Sequence, residues 1–261
     1  RQYNGQKLTA AGSIEGFVNN ETATFAVTGE VGPGVGGPVE NTYSIVWNGT
    51  AKETNYTVSE NLGTLQITRR SVLLIANDAQ KIYGDEDPEF IAIPGRIDDN
   101  EDTGLIGEDA LEYTVSREAG ENAGSYVITA SGKEDQGNYH VTYAPGTFTI
   151  VNSGENIVTG VNLAGAQGTT KMYDGTASTI TATAAVAGST FEYSLDGSTW
   201  TSEVPSFTNA GTYPVWVRAN AANYDTTPAV RATVTITPAP VTITVADANK
   251  VAGQADPVFL G

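Results

Sequence analysis

The chain has no cysteine, one methionine and one histidine, and its 13 Lys and Arg are outnumbered by 30 Asp and Glu. Without cysteine there is no thiol nucleophile, no thiolate zinc site and no disulfide to staple a small fold. A solitary His140 excludes most imidazole chemistry. The formal charge of −17 opposes binding to nucleic acid or to an anionic membrane surface, because phosphate recognition needs a basic stripe. No run approaches ~18 consecutive apolar residues, so no membrane-spanning helix is predicted. The opening Arg1-Gln2-Tyr3 does not read as a signal peptide. Also missing is an apolar i, i+3, i+4, i+7 pattern sustained for three turns, which argues against long helices.

What the sequence does contain is repetition. Lys81-Ile82-Tyr83-Gly84-Asp85 returns as Lys171-Met172-Tyr173-Asp174-Gly175 and more loosely as Arg1-Gln2-Tyr3-Asn4-Gly5, at spacings of 80 and 90 residues between the tyrosines. Asn55-Tyr56, Asn138-Tyr139 and Asn223-Tyr224 recur after 83 and 85 residues. Asn122-Ala123-Gly124-Ser125-Tyr126 returns as Asn209-Ala210-Gly211-Thr212-Tyr213 and weakly as Glu40-Asn41-Thr42-Tyr43. Each repeat closes on an alternating run: 63–68, 146–150 and 232–237. Near the end, Ala248-Asn249-Lys250-Val251 matches Ala79-Gln80-Lys81-Ile82, and Asp256-Pro257-Val258-Phe259 matches Asp87-Pro88-Glu89-Phe90. Repeat one starts at its tyrosine marker, without the strand that precedes it elsewhere (Ser71 to Ile75, Val241 to Val245). These matches divide the chain into domains at 1–69, 70–152 and 153–239, with 240–261 as the truncated start of a fourth, and mark it as a fragment of a longer array.

Within a repeat the local signal is β. Period-2 alternation is clear in Tyr193-Ser194-Leu195, in Val215 to Arg218 and in Thr233 to Thr237. The pairs Asn4-Gly5, Asn48-Gly49, Asp174-Gly175 and Asp196-Gly197 suit type I′ hairpins. Short strands, frequent turns and a period near 80 residues predict an all-β chain of tandem small β-sandwiches of the immunoglobulin type. The Asn-x-Gly-x-Tyr motifs at Tyr126 and Tyr213 resemble the tyrosine corner of that fold, in which the hydroxyl bonds a backbone group just upstream. Short joints at Thr68 to Ser71 and at Pro238-Ala239-Pro240, against a looser one at Val151 to Gly154, predict an elongated rod with two stiff junctions.

The pattern Lys81-x-Tyr83-Gly84-Asp85-x-Asp87-Pro88, then Ala123-Gly124-x-Tyr126-x-Ile128, Gly137-Asn138-Tyr139 and Phe148-Thr149-Ile150 resembles the bacterial MBG repeat. That family comprises Ig-like modules found in tandem in large cell-surface and secreted adhesin-like proteins. The likeness covers nearly all of repeat two. Repeat three resembles the Tyr-Asp-Gly variant at Tyr173-Asp174-Gly175-Thr176, and repeat one departs with Arg1 for Lys and Asn41 for Gly. The resemblance implies an extracellular stalk or adhesion role at a cell surface or cell wall. It implies no catalytic residue.

Several constellations have a chemical reading beside a structural one. Asp98, Asp99 and Asp102, in a run that continues through Asn100 and Glu101, could offer oxygen ligands to Ca²⁺. The spacing is not that of a calcium loop, which favours a solvated acidic loop. Residues 69–152 hold 16 acidic and six basic side chains, so a cation-binding repeat would be the second. Paired carboxylates for glycoside hydrolysis cannot be singled out among 30 acids, and small sandwiches seldom offer a deep cleft. A Ser-His-Asp reading would need His140, which follows the Asn-Tyr marker at an exposed strand position. Trp47 and Trp216 alternate with valines and read as core or half-buried; Trp200, near a hairpin tip, is the candidate for stacking on a sugar ring. The recurrent Tyr83, Tyr173, Tyr126 and Tyr213 are assigned to packing. A Lys–Asn isopeptide among Lys81, Lys171, Asn138 and Asn223 is set against lysine stems lying over the sheet with solvated heads.

The sequence therefore predicts a non-catalytic, cofactor-free spacer or adhesion segment, with a carbohydrate- or protein-binding module using loop aromatics as the alternative. Its partner would be a cell-surface ligand or glycan. The segment would be monomeric, save for strand exchange in which residues 241–261 add to repeat one of another molecule.

Overall fold

The computed structural model describes residues 1–97, 102–166 and 168–258. The chain divides into two compact units, Arg1–Val151 and Asn152–Gly261. Nearly all of its regular structure is strand, with one short 3₁₀ turn at Glu53–Asn55 among the described residues.

In the first unit, the first repeat supplies β1 (Thr22–Val27), β2 (Gly36–Glu40), β3 (Tyr43–Asn48) and β4 (Thr64–Ile67). β1 pairs with β3 and β2 with β4, both antiparallel. Alternation turns Phe25, Val27, Tyr43, Ile45 and Trp47 toward one face. That face is only half-buried: within residues 1–69 the buried side chains are Tyr3, Ala51, Leu65 and Ile67.

The second repeat supplies β5 (Arg70–Ala76), β6 (Ala79–Ile82), β7 (Ala92–Gly95), β8 (Thr114–Arg117), β9 (Gly124–Ser131), β10 (Asp135–Gln136), β11 (Tyr139–Ala144) and β12 (Gly146–Val151). They form two four-stranded sheets, β10-β11-β5-β7 and β6-β12-β9-β8. The consecutive pairs β5/β6 and β11/β12 step from one sheet to the other. Val72, Leu74 and Val141 from one inner face meet Ile128, Phe148 and Ile150 from the other, all fully buried. The same core takes in Tyr3 and Ile67 from the first repeat.

In the second unit, β13 (Val158–Leu163), β14 (Thr170–Met172), β15 (Ser178–Ala184), β16 (Thr190–Ser194), β17 (Ser206–Phe207), β18 (Gly211–Asn220) and β19 (Val230–Thr237) make sheets β13-β15-β17 and β14-β19-β18-β16. The sandwich closes over Leu163, Ile180, Val215, Val217, Val234 and Ile236. Asn156 is buried with both amide ends bonded: Nδ2 donates to Ser189 Oγ and Oδ1 accepts from the Val186 N–H, each at 3.2 Å.

The recurrent residues hold equivalent places. Tyr3, Tyr83 and Tyr173 each donate a backbone N–H to the closing segment of their own repeat, at Thr68 (2.9 Å), Val151 (2.8 Å) and Thr237 (2.8 Å). Their side chains differ: Tyr3 is buried, Tyr83 packs against the core, and Tyr173 is 40% exposed, so the expected packing role fails at Tyr173. The tyrosine corner is present twice, Tyr126 donating to the Asn122 carbonyl at 2.7 Å and Tyr213 to that of Asn209 at 2.9 Å. In the first repeat Tyr43 donates to the Glu60 carboxylate instead. The Asn-Tyr marker receives the entering chain: Arg70 N–H bonds the Asn138 carbonyl and Ser153 N–H bonds that of Asn223, both at 2.9 Å. Ser153, expected in a loose joint, is buried and bridged to Tyr224.

The turn chemistry differs from the type I′ expectation. Gly5, Gly49, Gly175 and Gly197 have φ of 76°, 60°, 80° and 77°, but Asn4, Asn48, Asp174 and Asp196 do not share positive φ. Three of them cap their own turn through the side chain: Asn4 accepts from Gln6 N–H, Asp174 from Thr176 N–H and Asp196 from Ser198 N–H. Such Asx turns need left-handed backbone only at the glycine.

Candidate functional site

Trp200 lies on the outer face of the β14-β19-β18-β16 sheet. Along β18, Val215 and Val217 point into the core, while Trp216 and Arg218 face out and are half-buried. The Arg218 guanidinium sits over the Trp200 ring at 4.3 Å, and Arg231 sits over Trp216 at 5.2 Å, across the β18–β19 ladder. Glu192, opposite Arg218, takes its Nε at 2.8 Å and Asn220 Nδ2 at 3.0 Å. Those two donors, Arg218 first, hold its carboxyl below the usual carboxylate range. Trp200 is half-buried, and one face of its ring is covered.

The hairpin leading to Trp200 is organised by one carboxylate. Asp196 accepts the N–H groups of Thr199 and Ser198, both at 2.7 Å, and the hydroxyl of Ser194 at 2.9 Å. These donors push its carboxyl far below the ordinary range, led by Thr199 N–H. The turn brings Gly197 against the Trp216 ring. The resulting surface is a cationic–aromatic ladder of Trp200, Arg218, Trp216 and Arg231. It can stack on a flat ring or pair with an acidic group.

A second concavity lies in the first repeat. A cleft of about 500 Å³ runs between residues 11–17 and 56–63, over Phe25, Tyr43, Ile45 and Trp47. Trp47 stacks on Tyr56 with centroids 5.3 Å apart, and Phe17 meets Tyr56 edge-on at 5.4 Å. The Tyr56 hydroxyl donates to Glu21 at 2.7 Å. Trp47 stands out singly in the sequence; the group it forms with Phe17 and Tyr56 is assembled from three separate segments and carries no local signal.

Lys81, expected to lie over the sheet with a solvated head, is buried. Its ammonium bonds Asp87 Oδ1 at 2.7 Å and Glu121 Oε2 at 2.6 Å. Arg117 joins the same two carboxylates and lies 5.0 Å from the Phe148 ring centre. Arg117 and Lys81 hold Asp87 below its ordinary range, and Lys81 and Arg117 do the same for Glu121; Asp87 and Glu121 in turn raise Lys81. Asn138 is engaged elsewhere, accepting the Val35 N–H at 2.9 Å. The Lys81 partners are thus carboxylates rather than the asparagine of the proposed crosslink. In the second unit Lys171 pairs with Asp174 at 2.8 Å.

Of the acidic run, Asp98 and Asp99 lie outside the described residues, and Asp102 stands in an exposed turn. Among the described residues no group of three or more His, Asp and Glu is placed to hold a metal ion. His140 is exposed on β11 with Nδ1 2.9 Å from Asp135 Oδ1. Among the described residues no helix is long and apolar enough to cross a membrane.

Residues 72–149 match the family model for the MBG domain (YGX type). The match begins within β5 and ends within β12, so it spans the second sandwich. Among solved structures, the fibronectin(III)-like modules of Clostridium thermocellum CbhA align with 48% of this chain and 68% of theirs, at 12% identity and a TM-score of 0.24. No curated protein matches the sequence.

Proposed function

We propose that this chain is a non-catalytic spacer or adhesion segment of an extracellular bacterial surface protein, each repeat forming one module with bounds at 1–69, 70–152, 153–239 and 240–261. The carrying observation is where the recurrent polar residues are used. The tyrosine backbone N–H groups, the corner hydroxyls of Tyr126 and Tyr213, and the carbonyls of Asn138 and Asn223 tie strands of their own module to one another. The match of residues 72–149 to a repeat family supports the same reading. The excess of acid keeps neighbouring modules soluble and mutually repelling. An extended particle in solution scattering, with no saturable binding across a broad glycan panel, is the expected result. A compact particle would overturn the rod.

A second reading, a glycan- or protein-binding module, is favoured by one feature, the Trp200–Arg218–Trp216–Arg231 ladder. Saturable binding that is lost in Trp200→Ala would establish it over the spacer. Calcium at Asp98, Asp99 and Asp102 is the corresponding proposal for the second repeat; a melting temperature that does not differ between excess Ca²⁺ and chelator would remove it.

A further inference from the structure

We propose that, when the chain bears tension, the third repeat opens ahead of the second, starting at residues 153–157, and so extends while the second stays folded. The proposal rests on the spacer reading, in which the repeats carry load in series. A repeat is pulled through the segment that enters it and the segment that leaves it. What resists is therefore the pairing that ties its entering strands to its closing ones.

In the second repeat those pairings are parallel and long. The entering β5 runs beside β11 over six residue pairs, from Arg70 opposite Tyr139 to Ile75 opposite Ala144. The closing β12 runs beside β6 over four, from Ala79 opposite Phe148 to Ile82 opposite Val151. The other edge of β5 is covered by β7. Opposed pulls on parallel strands act along the strand axes, so the rungs are strained together and none parts alone.

The third repeat keeps the closing pairing and loses most of the entering one. β14 runs beside β19 over three residue pairs, from Thr170 opposite Thr235 to Met172 opposite Thr237. On the entering side Ser153 meets the returning chain at an isolated parallel bridge to Tyr224. Its N–H donates to the Asn223 carbonyl and its carbonyl accepts the Asp225 N–H, both at 2.9 Å. Beyond that bridge the two segments part. The Asn-Tyr markers, 85 residues apart, set Thr227 against Thr142 of β11. The Thr142 hydroxyl donates to the Val72 carbonyl of β5 at 3.3 Å. The buried Thr227 turns to β18 instead: its N–H donates to the Ala219 carbonyl at 3.0 Å, and its hydroxyl accepts the Ala219 N–H at 2.9 Å. Pro228 follows and has no N–H to offer a ladder.

The entering chain is left thinly held. Residues 154–157 lie outside any strand and are anchored by the Asn156 side-chain amide, at Ser189 and Val186, in place of parallel rungs. β13 is an edge strand, paired with β15 alone, where β5 is an interior one. Forced unfolding follows the unfolding rate, which is set by the first bonds to part. Here these are the two at Ser153.

Single-molecule extension of the 261-residue chain, held at its two ends, reads the order of opening. A ten-residue Gly-Ser insertion between the exposed Glu203 and Val204 marks the third repeat. It lengthens that event by about 3.5 nm, at the ~3.5 Å spanned by each extended residue. The same insertion between the exposed Asp85 and Glu86 marks the second repeat. The expected result is that the third-repeat event falls at the lower force. The reverse order, or a single force for both, overturns the proposal and leaves the spacer reading intact; a compact particle in solution scattering removes the spacer reading without changing the order of opening. Hydrogen exchange on the unaltered chain gives a second reading that needs no variant to fold. Amides of residues 71–75 should exchange about tenfold or more slowly than those of 154–157, and equal protection of the two segments overturns the proposed starting point.

Discussion

Tyr3 and Tyr139, from successive repeats, meet edge to face with ring centres 5.6 Å apart, and both hydroxyls donate to the same oxygen, Asp109 Oδ2, at 3.1 and 2.5 Å. The Tyr139 hydroxyl also accepts the Ile106 N–H at 3.0 Å. Tyr139→Phe keeps the ring but removes both bonds, and should cost about 1–3 kcal/mol because buried partners are left unpaired. Burial and then Asp109 push both phenols above their ordinary range. A group whose folded pKa is raised stabilises the fold fully below its unfolded pKa and loses that contribution as pH rises. The melting temperature should therefore fall from about pH 10 upward, less steeply in Tyr139→Phe; equal slopes would show that the phenols are not what titrates.

In the second repeat the first and last strands of one sheet run parallel, with β6 beside β12 and Tyr83 N–H closing the ladder on Val151. Pulling a module by its ends draws these strands in opposite directions along their axes, so the ladder bonds share the load. Tyr83→Pro removes the N–H and one rung. Single-molecule extension should show a lower unfolding force for this variant. An unchanged force would place the resistance elsewhere in the module.

The pairing of Lys81 and Arg117 with Asp87 and Glu121 makes an acid-sensitive clasp between β6, β8 and the loops beside them. Both carboxylates are held below their ordinary range, so the unfolded chain takes up protons first as pH drops. Stability from the clasp is present above the usual carboxylate range and disappears as pH falls below about 4. The Asp87→Asn, Glu121→Gln double variant should be less stable at pH 7 and show a flatter melting curve against pH in acid. With Lys81 held protonated between Asp87 and Glu121, and Asn138 engaged by the Val35 N–H, the Lys–Asn isopeptide is disfavoured. The intact mass should equal that of the unlinked 27.2 kDa chain; a deficit of one ammonia would show that the bond had formed.

Much of this architecture is legible in the sequence because the residues that recur are the ones that bond across strands. Tyr126 and Tyr213 can be read as corners since the Asn-x-Gly-x-Tyr spacing fixes where the hydroxyl reaches, and Gly120 lies so close that a Cβ there would stand 2.2 Å from the Tyr126 ring. What the sequence conceals depends on partners distant along the chain. Lys81 is buried because Glu121 is 40 residues away in sequence yet 2.6 Å away in space. Trp200 is covered by an arginine that arrives from β18, and no local pattern announces it. The Asx turns are hidden for another reason: Asp-Gly and Asn-Gly pairs serve two turn chemistries, and only the backbone angles separate them.

Trp200 separates the two readings of function because a structural and a ligand-binding indole respond differently to substitution. If its role is to stack beneath Arg218, Trp200→Ala should destabilise the second unit by about 0.5–2 kcal/mol. Trp200→Phe should restore part of that loss, since a smaller ring still faces the guanidinium. Arg218→Gln combined with Trp200→Ala should then be less than additive, the mark of two side chains in contact. A ligand-binding Trp200 predicts something else: polysaccharide quenches the indole emission saturably in the parent chain, and Trp200→Ala removes the response at little cost in stability. The 4.3 Å stack and the charge-paired Glu192 behind it favour the first pattern, because a guanidinium held over one face leaves only the other for a sugar. Thermal melts of the four proteins in this cycle, beside an emission titration of the parent chain, distinguish the two outcomes.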